Sequence, residues 1–176
     1  MNIVLISGKA RHGKDSAAGF IQKRLEEAGK KVLRISFADY VKFVCAKHYG
    51  WNGEKDEAGR HILQYVSTEI FRARDPDFWV DTVIRYAKTV WDDYDAALIA
   101  DWRFPNEYVR WGECGVGTVF RIRVKRPGFD NGLEPEQKWH SSETALEGFP
   151  IDMELEADTL DELDLLCQRA IDAFKL

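Results

Sequence analysis

The chain has 176 residues, enough for one domain with a full buried core and a small inserted lid. Apolar residues make up 45% and charged residues 31%, and no apolar run approaches the roughly 20 residues of a membrane span, which argues against a membrane protein. A formal net charge of -5 argues against wrapping a nucleic-acid polymer but leaves small anions open, because a few local cations suffice to focus them.

Apolar runs alternate with helix-like periods in the manner of βαβ units, strand first. Asn2 to Ser7 reads as a buried strand. Ser16 to Ala28 reads as a helix with Ala17, Ile21, Leu25 and Ala28 on one face and Gly29 as its stop. Val32 to Ser36 is a second strand, Ala38 to Tyr49 a helix, and Arg60 to Ala73 another after a polar turn. Asp75 and Pro76 spell an N-cap and first position for a helix running to Trp91. Ala96 to Ala100 and Thr118 to Val124 are the third and fourth strands, and Ile151 to Leu155 the fifth. From Lys125 to Ser142 the text turns to Pro, Gly and charge, which suits a lid-like loop. "TLDE" from Thr159 is a capping-box signal for a closing helix, Leu160 to Phe174. The expected fold is α/β: a P-loop kinase three-layer α/β/α sandwich with a five-stranded, mainly parallel sheet and a small lid, with ligands beyond the carboxyl ends of the strands. It is expected as a single domain over residues 1–176, with substrate-binding helices in about 56–92 and the lid in about 125–142. Cys45, Cys114 and Cys167 are odd in number and widely spaced, so neither a disulfide framework nor a zinc site is indicated. With Ile3 to Ile6 too short for a signal peptide's apolar region, the expected location is cytoplasmic. A homodimer is left open.

The first strand runs into Gly8-Lys9-Ala10-Arg11-His12-Gly13-Lys14, and a helix follows, which is the context a P-loop requires. Such a loop turns backbone N–H groups inward as an anion nest, the helix N-terminus adds positive potential, and Lys14 reaches the outer phosphates. The hydroxyl that usually follows the lysine is displaced to Ser16 by Asp15. Asp15 either approaches a metal, directly or through water, or simply favours the first helical turn electrostatically.

Asp101 ends the third strand at the ligand edge, where a carboxylate can hold Mg²⁺ or its water; the alternative is a turn or cap residue. Arg103, two residues on, suits a clamp on a transferring phosphoryl oxygen, or a surface ion pair. Asp39 in "SFAD" faces either an acceptor or the metal shell, or it completes capping-box spelling with Ser36. Arg60, Gln64, Thr68 and Arg72 recur every fourth residue and share one helical face, suited to a phosphate and a base, with Trp79 or Phe78 as a stacking surface; a solvated face is the alternative. Arg121, Arg123 and Lys125 share a face of the fourth strand, and Arg126 begins the lid. These cations either bind phosphate or pair with carboxylates of the last third. His140 and Glu143 lack a third ligand at metal spacing and fit closure of an acceptor pocket or a cap for the helix after the lid.

The conjunction of the Gly-Lys-Asp P-loop, "DWRFPNE" and "HSSE", with "SFADYVK" and "LQYVSTEIFRARDPDFWVD", resembles the bacteriophage-type deoxynucleoside monophosphate kinases from Asn2 to the last helix. The pattern departs at Trp102 and Ser67, where a small aliphatic residue and glycine are expected. The resemblance implies transfer of the γ-phosphate of ATP, with Mg²⁺, to a deoxynucleoside monophosphate. Lys14, Asp101, Arg103 and Asp39 would be the catalytic residues. The stretch from Gly8 through Gly13 to Ser16, with Arg126, would hold ATP, and Asp15, Ser16 and Asp101 would serve the metal. Arg72 and Trp79, where the wording is closest, would serve the acceptor. Related phosphomevalonate kinases also carry a Gly-Lys-Asp P-loop, and a nucleotide-binding switch protein is the reading from a different class.

Overall fold

The computed structural model describes residues 1–115 and 117–176. Strands β1 (Asn2–Ser7), β2 (Val32–Ile35), β3 (Ala96–Ile99), β4 (Val119–Lys125) and β5 (Met153–Glu156) form one sheet in the order β2-β3-β1-β4-β5. Every pairing is parallel, with Val4 opposite Leu98 on one side and Phe120 on the other. β1 and β3 are almost wholly buried, as expected of central parallel strands covered on both faces. β5, at one edge, buries only Leu155 within a strand of alternating acids, which blunts that edge against further pairing.

Helices α1 (Lys14–Glu27) and α8 (Leu160–Phe174) cover one face, with Ala17, Ile21, Leu25, Leu163 and Cys167 packed on Val4, Ile6, Leu98, Ile122 and Val124. Ala28, expected on the buried face of α1, is exposed as its C-cap, and Gly29 follows in the left-handed region at φ 79°. Helices α4 (Phe78–Val90) and α5 (Pro105–Glu113) cover the other face through Val80, Val83, Ile84, Ala87 and Trp111. Trp102, fully buried in this core, packs its ring near Tyr108 and Phe149, so the bulk that departs from the motif is absorbed in packing.

A smaller third core of Val41, Cys45, Val66 and Trp79 joins α2 (Phe37–His48), α4 and the segment after α3 (Glu57–Gln64). That segment, Tyr65–Arg72, is a π-helix rather than the α-helical continuation expected from Arg60 to Ala73. Its wider turn closes i to i+5 bonds, as from Ala73 N–H to the Thr68 carbonyl. α4 also starts later than its spelling suggests. Asp75 spends its carboxylate on the Asp77 N–H in a turn, and Asp77 takes the cap position. The lid region carries two short helices, α6 (Pro135–Lys138) and α7 (Ser141–Thr144). Among the described residues no helix is long and apolar enough to cross a membrane.

The chain leaves β1 toward β2 and leaves β3 toward β4, so the connections diverge at the β1/β3 pair and open a crevice beyond its carboxyl ends. The Gly8–Gly13 loop and Asp101 both sit there. α8 is fixed at its start by a reciprocal box: the Thr159 hydroxyl accepts from the Glu162 N–H at 3.2 Å while the Glu162 carboxylate accepts from the N–H groups of Asp158 and Thr159. Thr159→Ala is expected to cost about 1 kcal/mol of stability in a urea titration, with no change in ligand binding.

Candidate functional site

The P-loop conformation rests on a few special backbones. Gly8 and Gly13 have φ of 149° and 96°, and Arg11, at φ 63°, adopts the left-handed region without being glycine. A Cβ on Gly8 would lie 2.4 Å from the Val124 carbonyl oxygen, so only glycine lets the loop lie against β4. The resulting nest already holds an anion of the chain itself. Glu143 Oε2 accepts from the Ala10 N–H at 3.0 Å, and its Oε1 accepts from Arg103 Nη1 at 2.6 Å. In this position the carboxylate stands in for phosphate oxygens.

Each of the residues 9–12 reaches the lid. Lys9 pairs with Glu147 at 3.5 Å, Ala10 with Glu143, Arg11 Nη1 donates to the Asn131 carbonyl at 2.9 Å, and His12 Nδ1 accepts from the Arg126 N–H at 3.1 Å. The His12 proton is therefore on Nε2. Burial, then Lys14 and Lys9, hold its pKa below the ordinary histidine value. The Arg126 guanidinium lies over the Phe129 ring at 4.3 Å. Between loop and lid opens a cleft of about 790 Å³ whose lining includes Lys9, His12, Arg103, Phe129 and Trp139. Lys14 is buried and donates to the Lys9 carbonyl at 2.8 Å; burial and then Arg103 lower its pKa to about 8, against the pull of Glu143, Asp15 and Asp101.

Asp101 is drawn toward α2. Its Oδ2 accepts from the Ser36 hydroxyl and the Ala38 N–H, both at 2.8 Å, and Oδ1 from the Phe37 N–H at 3.2 Å. Burial raises its pKa, while those three bonds and Arg103 oppose the rise. The carboxylate thus ties β3 to the start of α2, with capacity left on Oδ1 for one further partner. Asp39 is exposed and pairs with Lys42 one turn on, at 2.8 Å, while Ser36 caps α2 without the reciprocal bond its spelling suggested. Asp15 is exposed on the first turn of α1, and Ser16, half-buried beside it, has its hydroxyl in no hydrogen bond among the described residues. Hard oxygen donors of this kind suit Mg²⁺, with ligand phosphates completing the shell. Among the described residues no cluster of three acids, histidines or cysteines is placed to hold a metal alone.

Two residues expected at an acceptor are structural instead. Trp79 is 1% exposed, its ring packed against Phe71 and Phe78 and its indole N–H donating to the Ser67 carbonyl at 3.1 Å, so it has no face left for a base. Arg72 stacks on Phe104 at 4.1 Å and donates at 2.7 Å to Glu107, which is fully buried. The other Glu107 oxygen accepts from the N–H groups of Arg103 and Phe104 at 2.8 and 3.1 Å. Burial raises the Glu107 pKa despite Arg72. The π-helix breaks the fourfold spacing, and Arg72 turns toward α5. Arg60, Gln64 and Thr68 remain half-buried, their side chains in no hydrogen bond or ion pair among the described residues.

The β4 cations resolve in favour of the carboxylates and of main-chain carbonyls. Arg121 pairs with Asp152 at 2.6 Å, Lys125 with Glu154 at 2.7 Å, and Arg123 donates to the Leu146 and Phe149 carbonyls. His140 caps α7, its Nδ1 accepting from the Ser142 N–H at 3.2 Å, and so sets the helix that carries Glu143. Sequence reasoning missed Glu107 as the linchpin of the Arg103 turn, for which "DWRFPNE" offered only a first-turn acid. It also passed over Trp139, 78% exposed on the cleft, whose signal was a large aromatic in a polar lid.

The sequence matches no family model and no curated protein. Among solved structures, the fold is similar to a Mycobacterium tuberculosis APS kinase CysC point mutant, with TM-score 0.51 and 14% identity over 99% of this chain and 97% of that one. It is also similar to the same kinase in complex with AMPPNP and APS, with TM-score 0.55 and 15% identity over 99% and 98%. The chain therefore has the α/β P-loop kinase fold.

The depressed Lys14 pKa has a consequence for stability. Below about pH 8 both states keep the proton and the fold carries the full cost of the buried ammonium. Between there and the ordinary lysine value of about 10.4 the folded state loses its proton first, so stability rises with pH. Lys14→Met is expected to be more stable than wild type by about 1–3 kcal/mol at pH 7, the advantage shrinking toward pH 10 in chemical denaturation. Arg72→Met, which strands the Glu107 charge, is expected to cost about 3 kcal/mol in the same assay.

Proposed function

We propose that this chain is an ATP-dependent P-loop kinase that transfers the γ-phosphate to a deoxynucleoside monophosphate, giving the diphosphate and ADP. The observation that carries this reading is the single anion subsite where the Ala10 N–H and Arg103 meet on one carboxylate beside buried Lys14. A donor phosphate seated there would be gripped by the loop and by the Lys14 ammonium, whose pKa a polyphosphate would raise back toward the ordinary lysine value. Arg103 would stabilise charge spread over the migrating group. Mg²⁺, held through Ser16 with Asp15 and Asp101 behind it, would neutralise charge on the bridging phosphates. Arg126 and His12, both on the cleft, would serve the nucleotide.

The acceptor would be met by Arg60, Gln64 and Thr68, whose half-buried side chains carry polar groups uncommitted among the described residues. Arg72 acts as a positioning residue, holding Glu107, which in turn fixes the backbone of Arg103. No general base is required, because a monophosphate is largely ionised near neutral pH. The lid would exclude water and suppress hydrolysis of ATP. The order of motifs supports the deoxynucleotide acceptor. The fold it shares with a kinase seen with AMPPNP and APS favours a second reading in which the acceptor is another phosphorylated small molecule.

The test is ADP release with Mg²⁺-ATP and a panel of deoxynucleoside monophosphates, ribonucleotides, APS and phosphomevalonate. Turnover on a deoxynucleotide is expected, abolished in Lys14→Ala. In Arg103→Ala, kcat is expected to fall about 10²–10³-fold. Turnover confined to APS or phosphomevalonate would transfer the reading to that acceptor, and tight ATP binding with no turnover on any would leave a nucleotide-binding switch.

A further inference from the structure

We infer that Glu143 is an internal phosphate mimic that latches the lid onto the P-loop, and that an incoming phosphate must expel it. The inference rests on the P-loop reading above but concerns a step before chemistry. Glu143 is bonded on two sides, by the Ala10 N–H at 3.0 Å and by Arg103 Nη1 at 2.6 Å, and its side chain is 9% exposed. The Ala10 amide has a single proton, and it cannot serve the carboxylate and a phosphate oxygen together. Two anions in van der Waals contact in one nest would also repel strongly. Occupancy is therefore exclusive.

The remaining links make the exchange a motion of the lid. Arg103 Nη1 also donates to the Ser142 carbonyl at 3.2 Å, and His140 caps the helix that holds Ser142 and Glu143, so these residues move together. Lys9 and Glu147, paired at 3.5 Å with both side chains more than half exposed, add little resistance. While the latch is closed, Arg103 is committed to Glu143. Once phosphate takes the Ala10 amide, the carboxylate leaves and the guanidinium is free to follow the phosphate. Arg103 is thus released only when a donor is present.

The experiment compares wild type with Glu143→Gln, which keeps the shape but not the charge, and with Glu143→Asp, which keeps the charge on a shorter stem. Calorimetric titration with inorganic tripolyphosphate and with ATP is expected to give binding about tenfold tighter in Glu143→Gln, with Glu143→Asp between the two. Tripolyphosphate should also raise Tm more in Glu143→Gln than in wild type. Trp139 lies four residues before Glu143 and is largely exposed, so its emission, isolated by difference from Trp139→Phe, should change on adding tripolyphosphate to wild type. Unchanged or weaker binding in both variants would overturn the latch alone and leave Glu143 as a group that orients Arg103 in the bound state. Failure of wild type and variants alike to bind either polyphosphate would overturn the P-loop reading and the latch with it.

Discussion

Inward-facing amides and several cations gathered at one corner of a protein need an anion, because each desolvated positive charge raises the cost of the next. Lys14, Arg103, Lys9 and the Gly8–Gly13 backbone create that demand at the carboxyl edge of β1, and the rest of the site can be understood as its consequences. Lys14 responds by giving up its proton more readily than an ordinary lysine. The lid responds by delivering Glu143. The β4 cations, which would otherwise add to the excess, are removed from the balance by Asp152, Glu154 and the carbonyls of Leu146 and Phe149. The positive potential is thereby concentrated on the groups beside the loop.

A second line of charge connects this corner to the helices on the far side of the crevice. Arg72, Glu107, Arg103 and Glu143 alternate in sign, and the Glu107 carboxylate bonds the Arg103 backbone while the Arg103 side chain bonds Glu143. Because Glu107 is wholly buried, its partners are over-determined, and the Arg103 turn is held rigidly. Asp101 does the corresponding work for α2, joining the end of β3 to the start of that helix through three hydrogen bonds. Both sides of the crevice are thus fastened to the sheet at β3 and its following turn.

What could be read in the sequence was what is local. The strand, Gly-x4-Gly-Lys and helix of the phosphate loop lie within one short stretch, and apolar runs placed all five strands within a residue or two. The closing helix was announced by Thr159 and Glu162 three residues apart. Roles decided by distant partners were not legible. Asp101 keeps two meanings, metal acid or turn residue, until Ser36 and α2 are folded onto it, and Arg121 and Lys125 keep two until Asp152 and Glu154 come alongside. Trp79 was misassigned because nearness in sequence to Arg72 suggested a shared ligand. The third core, assembled from α2, α4 and the π-helix, claims its ring instead. Glu143 was expected at an acceptor pocket or a helix cap, and its partner Ala10 lies 133 residues away.

The π-helix Tyr65–Arg72 has an implication for how this protein can diverge. An α-helix advances about 100° per residue, so removing one residue from the wide-turned stretch would rotate everything before it relative to everything after. Arg60 and Gln64 would swing around the axis while Arg72 stayed docked on Glu107. Single-residue insertions and deletions here would therefore act as a coarse dial, re-aiming the α3 side chains without disturbing the phosphate loop or the buried pair that anchors the far end.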